Sequence, residues 1–411
     1  MTAYRRRLLD PLIETLLTDL PALLLVGPRA VGKTTTAARH ARTIVRLDRP
    51  AEATAFRADA DAALRGLSEP VLLDEWQVVP EVLGAVKRAV DTDPRPGRFL
   101  ITGSVRSNLD EQTWPGTGRL VRLTMFGMTV GERRGFATSP FLDAIAREDF
   151  VAVPGDPPDL RGYVELALRG GFPDATLDRS LEARERWLES YVDQMLTRDA
   201  DLVDEGRDPV RLRRFFEAYA LSSAGIPDDR TLYEAAGINY RTAVAYERLL
   251  ANLLVVEATA AWTSSRIKRL SLSPKRYVTD PALIGAVLRL DVNGVLRDGD
   301  VLGRLLDTFV AAHLRAELPV SASRPRLYHL RQQQGRHEVD LLAERAGGGI
   351  VGVEVKASAA PGADDARHLM WLADRLGDRF VAGVVLHTGP RAYRLGERVL
   401  AVPICALWDR G

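Results

Sequence analysis

A single cysteine, Cys405, stands in 411 residues, which excludes an internal disulfide framework and a thiolate metal cluster. No uninterrupted apolar run approaches the roughly 18 residues that a membrane-spanning helix needs. The basic start MTAYRRRLLDPLIETLL is broken by Asp10 and Glu14 before an export signal can form, so a reducing cytoplasmic setting is expected, with no membrane partner. The six histidines show no metal-ligand spacing, although His337 lies beside an acidic stretch. A net charge of +1 gives no field over the whole molecule for nucleic acid and leaves only local basic patches to consider.

Lysine is also scarce. Of 56 basic residues only Lys33, Lys87, Lys268, Lys275 and Lys356 are lysines, so arginine serves wherever a generic positive charge suffices. A lysine in this chain is therefore a marker for a compact point charge. What is present is ordinary: 46% hydrophobic and 27% charged residues describe a soluble globular protein. Its length predicts two to four domains at roughly 100 to 200 residues each.

The segment PALLLVGPRAVGKTTTAARHA has the order strand, glycine-bearing loop and helix. Gly27, Pro28, Arg29, Ala30, Val31, Gly32, Lys33 and Thr34 fit the Walker A spacing, and Thr35 continues into the helix. Such a loop turns backbone N–H groups toward phosphate oxygens at a helix N-terminus. Lys33 is placed for the terminal phosphates of ATP and the Thr34 hydroxyl for Mg2+.

Downstream, PVLLDEWQ reads as a buried strand ending in Asp74 and Glu75. Asp74 suits an outer contact to Mg2+, and Glu75 suits polarising an attacking water. The next strand, RFLITGS, ends at Ser104, where a hydroxyl can sense the γ-phosphate. Arg119 and Arg122 are candidates for the arginine that completes a nucleotide site within the chain or in a neighbour, which allows a homo-oligomer.

GPRAVGKTTT, VRLDRP, LLDEWQ, LITGS and GTGRL, in this order, resemble the AAA-type ATPases of bacteria and archaea that carry a long C-terminal domain of unknown function. GGFPDA, YVDQMLTRDADL, GRLLDTFVAAHL and EVDLL…VEVKAS extend the resemblance over nearly the whole chain. Ala30 and Asp307 depart from it, standing where the family usually has a polar residue and a glutamate.

After a proline-rich connection near residues 139–162, the pattern is helical, and Trp187, Tyr191 and Met195 recur at spacing suited to a core. The stretch from Asp228 to Trp262 has the outline of a winged helix: a short helix, a turn at Gly237, a second helix, then paired strands. As a DNA reader its second helix offers Asn239, Tyr240, Arg241 and Arg248; as an intramolecular brace it needs none of them, and Glu247 on the same helix favours the brace.

In HEVDLLAERAGGGIVGVEVKAS, residues two apart share a face of a strand, so Val339, Leu341, Val353 and Val355 are expected inside, opposite Glu338, Asp340, Glu354 and Lys356. A turn through Gly347, Gly348 and Gly349 brings Asp340, Glu354 and Lys356 together. In order and spacing this resembles the PD-(D/E)XK nuclease superfamily. The resemblance implies that Asp340, Glu354 and a third carboxylate, Asp307, hold Mg2+ or Mn2+, while Lys356 activates water against a phosphodiester.

The expectation is an α/β protein: a doubly wound parallel P-loop sheet over 1–135, a linker and helical lid over 136–225, a winged helix over 226–290 and a restriction-endonuclease-like α/β domain over 291–411. The expected function is an ATPase coupled to a DNA-directed nuclease module. Its alternative is a nucleotide-gated switch that binds a protein or nucleic-acid partner and carries an inactive nuclease-like domain.

Overall fold

The apolar run Ala22–Val26 forms β1, buried along its whole length because helices cover both faces of its sheet. The computed structural model describes residues 4–103, 118–136, 139–147, 150, 155–200, 208–332 and 335–410. These fall into two units, one built from Arg6–Phe126 with Leu249–Leu254, the other from the remainder. Among the described residues no helix is long and apolar enough to cross a membrane.

In the first unit, β2 (Thr43–Arg46), β3 (Val71–Asp74), β4 (Phe99–Gly103) and β5 (Val121–Thr124) join β1 in the order β2-β3-β4-β1-β5, all parallel. Leu24, Val26, Leu73, Phe99 and Ile101 pack with Val82, Leu83 and Val86 of the helix Glu81–Thr92 in one core. A parallel sheet places every strand's C-terminal end along one edge, so Val26, Asp74 and Gly103 end at the same rim. Gly103 has no spare room there: a Cβ would lie 2.4 Å from Trp76 Nε1.

The second unit takes in the segments expected as lid, winged helix and C-terminal domain, apart from Leu249–Leu254. The aromatic spacing holds: Trp187 stacks on Tyr191 with centroids 5.3 Å apart, and Phe172 closes on Tyr191 at 4.6 Å. The helices Asp229–Ala235 and Tyr240–Asn252 precede an antiparallel pair, β6 (Val256–Thr259) and β7 (Lys275–Val278). The 19-residue helix Gly299–Glu317 leads into a mixed six-stranded sheet. Its strands are β8 (Arg326–Gln332), β9 (His337–Glu344), β10 (Ile350–Lys356), β11 (Phe380–His387), β12 (Tyr393–Gly396) and β13 (Val399–Pro403), in the order β12-β13-β11-β10-β9-β8.

The expected hairpin is present as β9 and β10, closed by Arg345 N–H donating to Gly349 O at 2.8 Å, with Gly348 at φ 85°. Burial along β10 differs from the alternation read in the sequence. Glu354 is buried while Val355 and Lys356 are half-buried, because β10 lies between β9 and β11 with the helices Gly299–Glu317 and Arg367–Leu376 packed on it.

Candidate functional site

The phosphate loop follows β1 and wraps its own lysine. Lys33 Nζ donates to Gly27 O at 3.0 Å and to Pro28 O at 2.8 Å. Ala30 (φ 59°) and Gly32 (φ 92°) take left-handed backbone, the alternation that turns consecutive amides inward. Gly27 is required by close approach, since a Cβ there would sit 2.2 Å from Met125 O. Burial pushes the Lys33 ammonium down to about 8, against the opposing pull of Glu75 and Asp74. Its partners are neutral carbonyls, so an arriving phosphate offers this cation a better one.

Thr34 Oγ1 donates to Asp74 Oδ1 at 2.7 Å, and Thr102 of β4 donates to the same oxygen. Arg46 Nη1 lies 4.0 Å from Asp74 Oδ2. One residue on, Glu75 is held in left-handed backbone (φ 57°), a strained state for a non-glycine residue, and its carboxylate accepts from the Gln77 amide. Trp76, buried completely between them, fixes the turn. This donor set fits Mg2+ with a nucleotide: a hydroxyl and a carboxylate meet beside a lysine that holds only its own loop.

Arg7 was not singled out by sequence. Its guanidinium donates to Val31 O and Phe126 O, each at 2.8 Å, bracing the outside of the loop. Asp10 accepts the Arg7 N–H at 2.7 Å and pairs with His40 at 2.9 Å. The motif RRRLLDP near the N-terminus carries no phosphate-loop signature, so a motif search passes over it.

Arg119 is not placed where the expectation needed it. It pairs with Asp91 at 2.7 Å, at the end of the helix Glu81–Thr92 and just before β5, which is the N-terminal edge of the parallel strands. The loop lies at the opposite edge, so Arg119 cannot complete this chain's own site. Arg122 is exposed on β5 opposite Leu24 in register, part-way along the strand. Thr35 is exposed on the loop's helix. Ser104 lies outside the described residues.

In the second unit, the β9–β10 register pairs Leu341 with Val353, which brings Asp340 abreast of Glu354 one step on. Lys356 Nζ donates to Glu354 Oε2 at 3.3 Å. Asp307, from the long helix, joins them through a residue the motif reading did not use. Lys275 Nζ, at the start of β7, donates to Asp307 Oδ2 and to Asp340 Oδ1, both at 3.0 Å. The other Asp340 oxygen accepts the Val355 N–H at 3.1 Å. The rarity of lysine was the signal that could have found Lys275.

Burial works against the Lys275 charge, but Asp307 and Asp340 outweigh it and hold its pKa well above the ordinary value. Burial raises the Asp307 carboxyl to about 7, with Asp340 adding repulsion and Lys275 opposing. Asp340 keeps a lowered pKa despite burial, because Lys275 and the Val355 amide favour its anion. Burial and the neighbouring Asp340 raise Glu354 well above its usual range.

The expected metal position therefore does not stand open. The three carboxylates converge, yet an ammonium bridges two of them where a cation would bind. Among the described residues no group of three His, Cys, Asp or Glu side chains is arranged to hold a metal ion. Asp307, Asp340 and Glu354 do not fit Mg2+ or Mn2+ while Lys275 is in place. Nearby, His337 stacks on Trp371 with centroids 3.9 Å apart, which gives it a packing role.

On the helix Tyr240–Asn252, Asn239 accepts the Thr242 N–H at 2.9 Å, so its side chain caps the helix. Glu247 is spent on Arg276 at 2.8 Å, and Arg276 also reaches Asp229 at 2.6 Å. Tyr240, Arg241 and Arg248 are exposed.

Comparison with known proteins agrees with this division. Residues 19–133 match an AAA domain, residues 160–293 a domain of unknown function (DUF8612), and residues 302–407 a second domain of unknown function (DUF4143). The first unit thus contains a P-loop domain of AAA type. Uncharacterised proteins of Mycobacterium bovis and Mycobacterium tuberculosis are each 28% identical over 391 residues, covering 93% of this chain and 80% of the relative. A Walker-type ATPase of Pyrococcus abyssi superposes with a TM-score of 0.43 at 16% identity, covering 68% of this chain and 94% of that one.

Proposed function

We propose that the chain is an ATP hydrolase of the AAA type whose nucleotide state governs what its second unit binds. The observation that carries this reading is the convergence of Lys33, Thr34, Asp74 and Glu75 at the C-terminal rim of the parallel sheet. Lys33 exchanges its two loop carbonyls for terminal phosphate oxygens. Thr34, with Asp74 behind it, would hold Mg2+, which would supply charge neutralisation at the phosphates. Glu75, fixed by its backbone and by Gln77, orients the attacking water and accepts its proton. Arg119 serves a neighbouring copy if it serves any nucleotide site.

For the second unit the switch reading is favoured over DNA cleavage, because Lys275 spans Asp307 and Asp340. Its partner is a nucleic acid or a protein, and the exposed Arg241 and Arg248 favour weak, salt-sensitive duplex binding. The test is steady-state ATP hydrolysis with nucleotide binding measured in parallel. Lys33→Ala should lose binding, and Glu75→Gln should bind ATP but turn it over at least a hundredfold more slowly, in the range of a lost general base. Wild-type turnover by Glu75→Gln would overturn the assignment.

A further inference from the structure

We propose that the carboxylate centre of the second unit carries its own cation: the Lys275 ammonium occupies the position of a divalent metal ion, so the centre holds together without one. This deepens the reading of the second unit as one that does not cleave, and it draws on no residue of the ATP site.

The geometry is that of a bridging ion. Nζ lies 3.0 Å from one oxygen of Asp307 and 3.0 Å from one oxygen of Asp340, and 3.5 Å from the Asp340 main-chain carbonyl. The three contacts come from a helix and a strand far apart in sequence, which a bridging cation would otherwise have to join. Behind the ammonium, the Tyr277 ring centroid lies 5.7 Å away and takes the Arg315 guanidinium on the ring at 4.3 Å. The face of an aromatic ring suits an ammonium, through its quadrupole, and is no ligand for Mg2+.

The charge count closes without a metal. Three carboxylates face two ammoniums, Lys275 and Lys356, leaving one surplus negative charge. A single proton neutralises it, and two oxygens of the centre, Asp307 Oδ1 and Glu354 Oε1, are buried with no protein partner and able to take one. A divalent ion added between Asp307 and Asp340 would have to share their oxygens with an ammonium in contact with both.

The lysine is also fixed in place. It is 3% exposed and begins β7, and the next residue, Arg276, is tied to Glu247 and Asp229. The pairing of β7 with β6, from Thr259↔Lys275 to Val256↔Val278, fixes the backbone from which the side chain reaches the two carboxylates.

The experiment is Mn2+ titration of the nucleotide-free full chain, followed by the spin-resonance signal of free Mn2+ and by thermal unfolding. Wild type and Asp340→Asn should bind Mn2+ equally, since the centre contributes no site. Lys275→Ala should gain one Mn2+ ion, and its melting temperature should fall without the metal and recover with it. The double variant Lys275→Ala with Asp340→Asn should show neither effect. Mn2+ bound by wild type and lost in Asp340→Asn would overturn the proposal, as would a folded Lys275→Ala that gains no Mn2+. If Lys275→Ala does not fold, the comparison of wild type with Asp340→Asn still decides. Loss of ATP hydrolysis in any variant bears on the other unit and leaves this result unaffected.

Discussion

Thr34 and Asp74, 40 residues apart, meet through a 2.7 Å hydrogen bond that joins the phosphate loop to the end of β3. The bond holds the hydroxyl on the side where Mg2+ must approach. Asp74→Asn keeps the shape and removes the charge. Mg2+-dependent ATP affinity should fall roughly 10- to 100-fold, the usual effect of losing a partner behind a metal ligand. Calorimetry with and without Mg2+ checks this, and the metal-free affinity should change little.

Nucleotide binding should depend on pH through Lys33, whose pKa is about 8 in the free loop. The free loop binds the proton less tightly than an unfolded lysine does, so charged Lys33 opposes folding below about 8. That opposition fades as pH rises from about 8 toward the unfolded value. Bound phosphate reverses the preference, so ATP binding takes up a proton above pH 8. Affinity should be flat below that pH and weaken by up to about tenfold per pH unit above it. Flat affinity to pH 10 would show that Lys33 does not hold the phosphates.

Gly103→Ala sets a Cβ 2.4 Å from the Trp76 indole nitrogen at the rim of the sheet. Overpacking of this kind costs about 1–3 kcal/mol and should displace Trp76, with it Glu75. Gly303→Ala is the contrast: the residue is exposed within the helix Gly299–Glu317, and a Cβ meets nothing within 4 Å. It should stabilise by about 0.5–1 kcal/mol through helix propensity. Urea unfolding followed by fluorescence separates the two.

Arg276→Met strands Glu247 and Asp229 without their cation. Only the arginine end of these pairs is buried, and water reaches both carboxylates, so the loss should be about 1–3 kcal/mol and lower the melting temperature. Arg241→Ala with Arg248→Ala touches no such pair. It should leave stability within about 0.5 kcal/mol while lowering duplex affinity at low salt, read by gel shift. Unchanged duplex affinity returns this helix to a bracing role.

Local signals made much of this legible. Gly27 to Thr34 and Asp74-Glu75 are contiguous motifs following apolar strands, and parallel topology carries them to one rim. The hairpin was readable from its glycines. The charge of the second centre was not, because Lys275 reaches Asp340 across 65 residues and no spacing rule links them. Period-two alternation put Glu354 on an open face, but a strand packed on both sides by neighbours and covered by helices buries it. That Arg119 lies away from its own chain's loop was hidden for a related reason: a motif position names a residue type without saying at which end of a strand it falls.

The Arg7 guanidinium is one body held to both the Val31 carbonyl in the phosphate loop and the Phe126 carbonyl just after β5. Both bonds are about 2.8 Å, so neither carbonyl can move far without stretching the other's contact or breaking its own. A shift of the loop on taking up a nucleotide would therefore pull on the backbone that follows β5, with a single side chain as the lever arm.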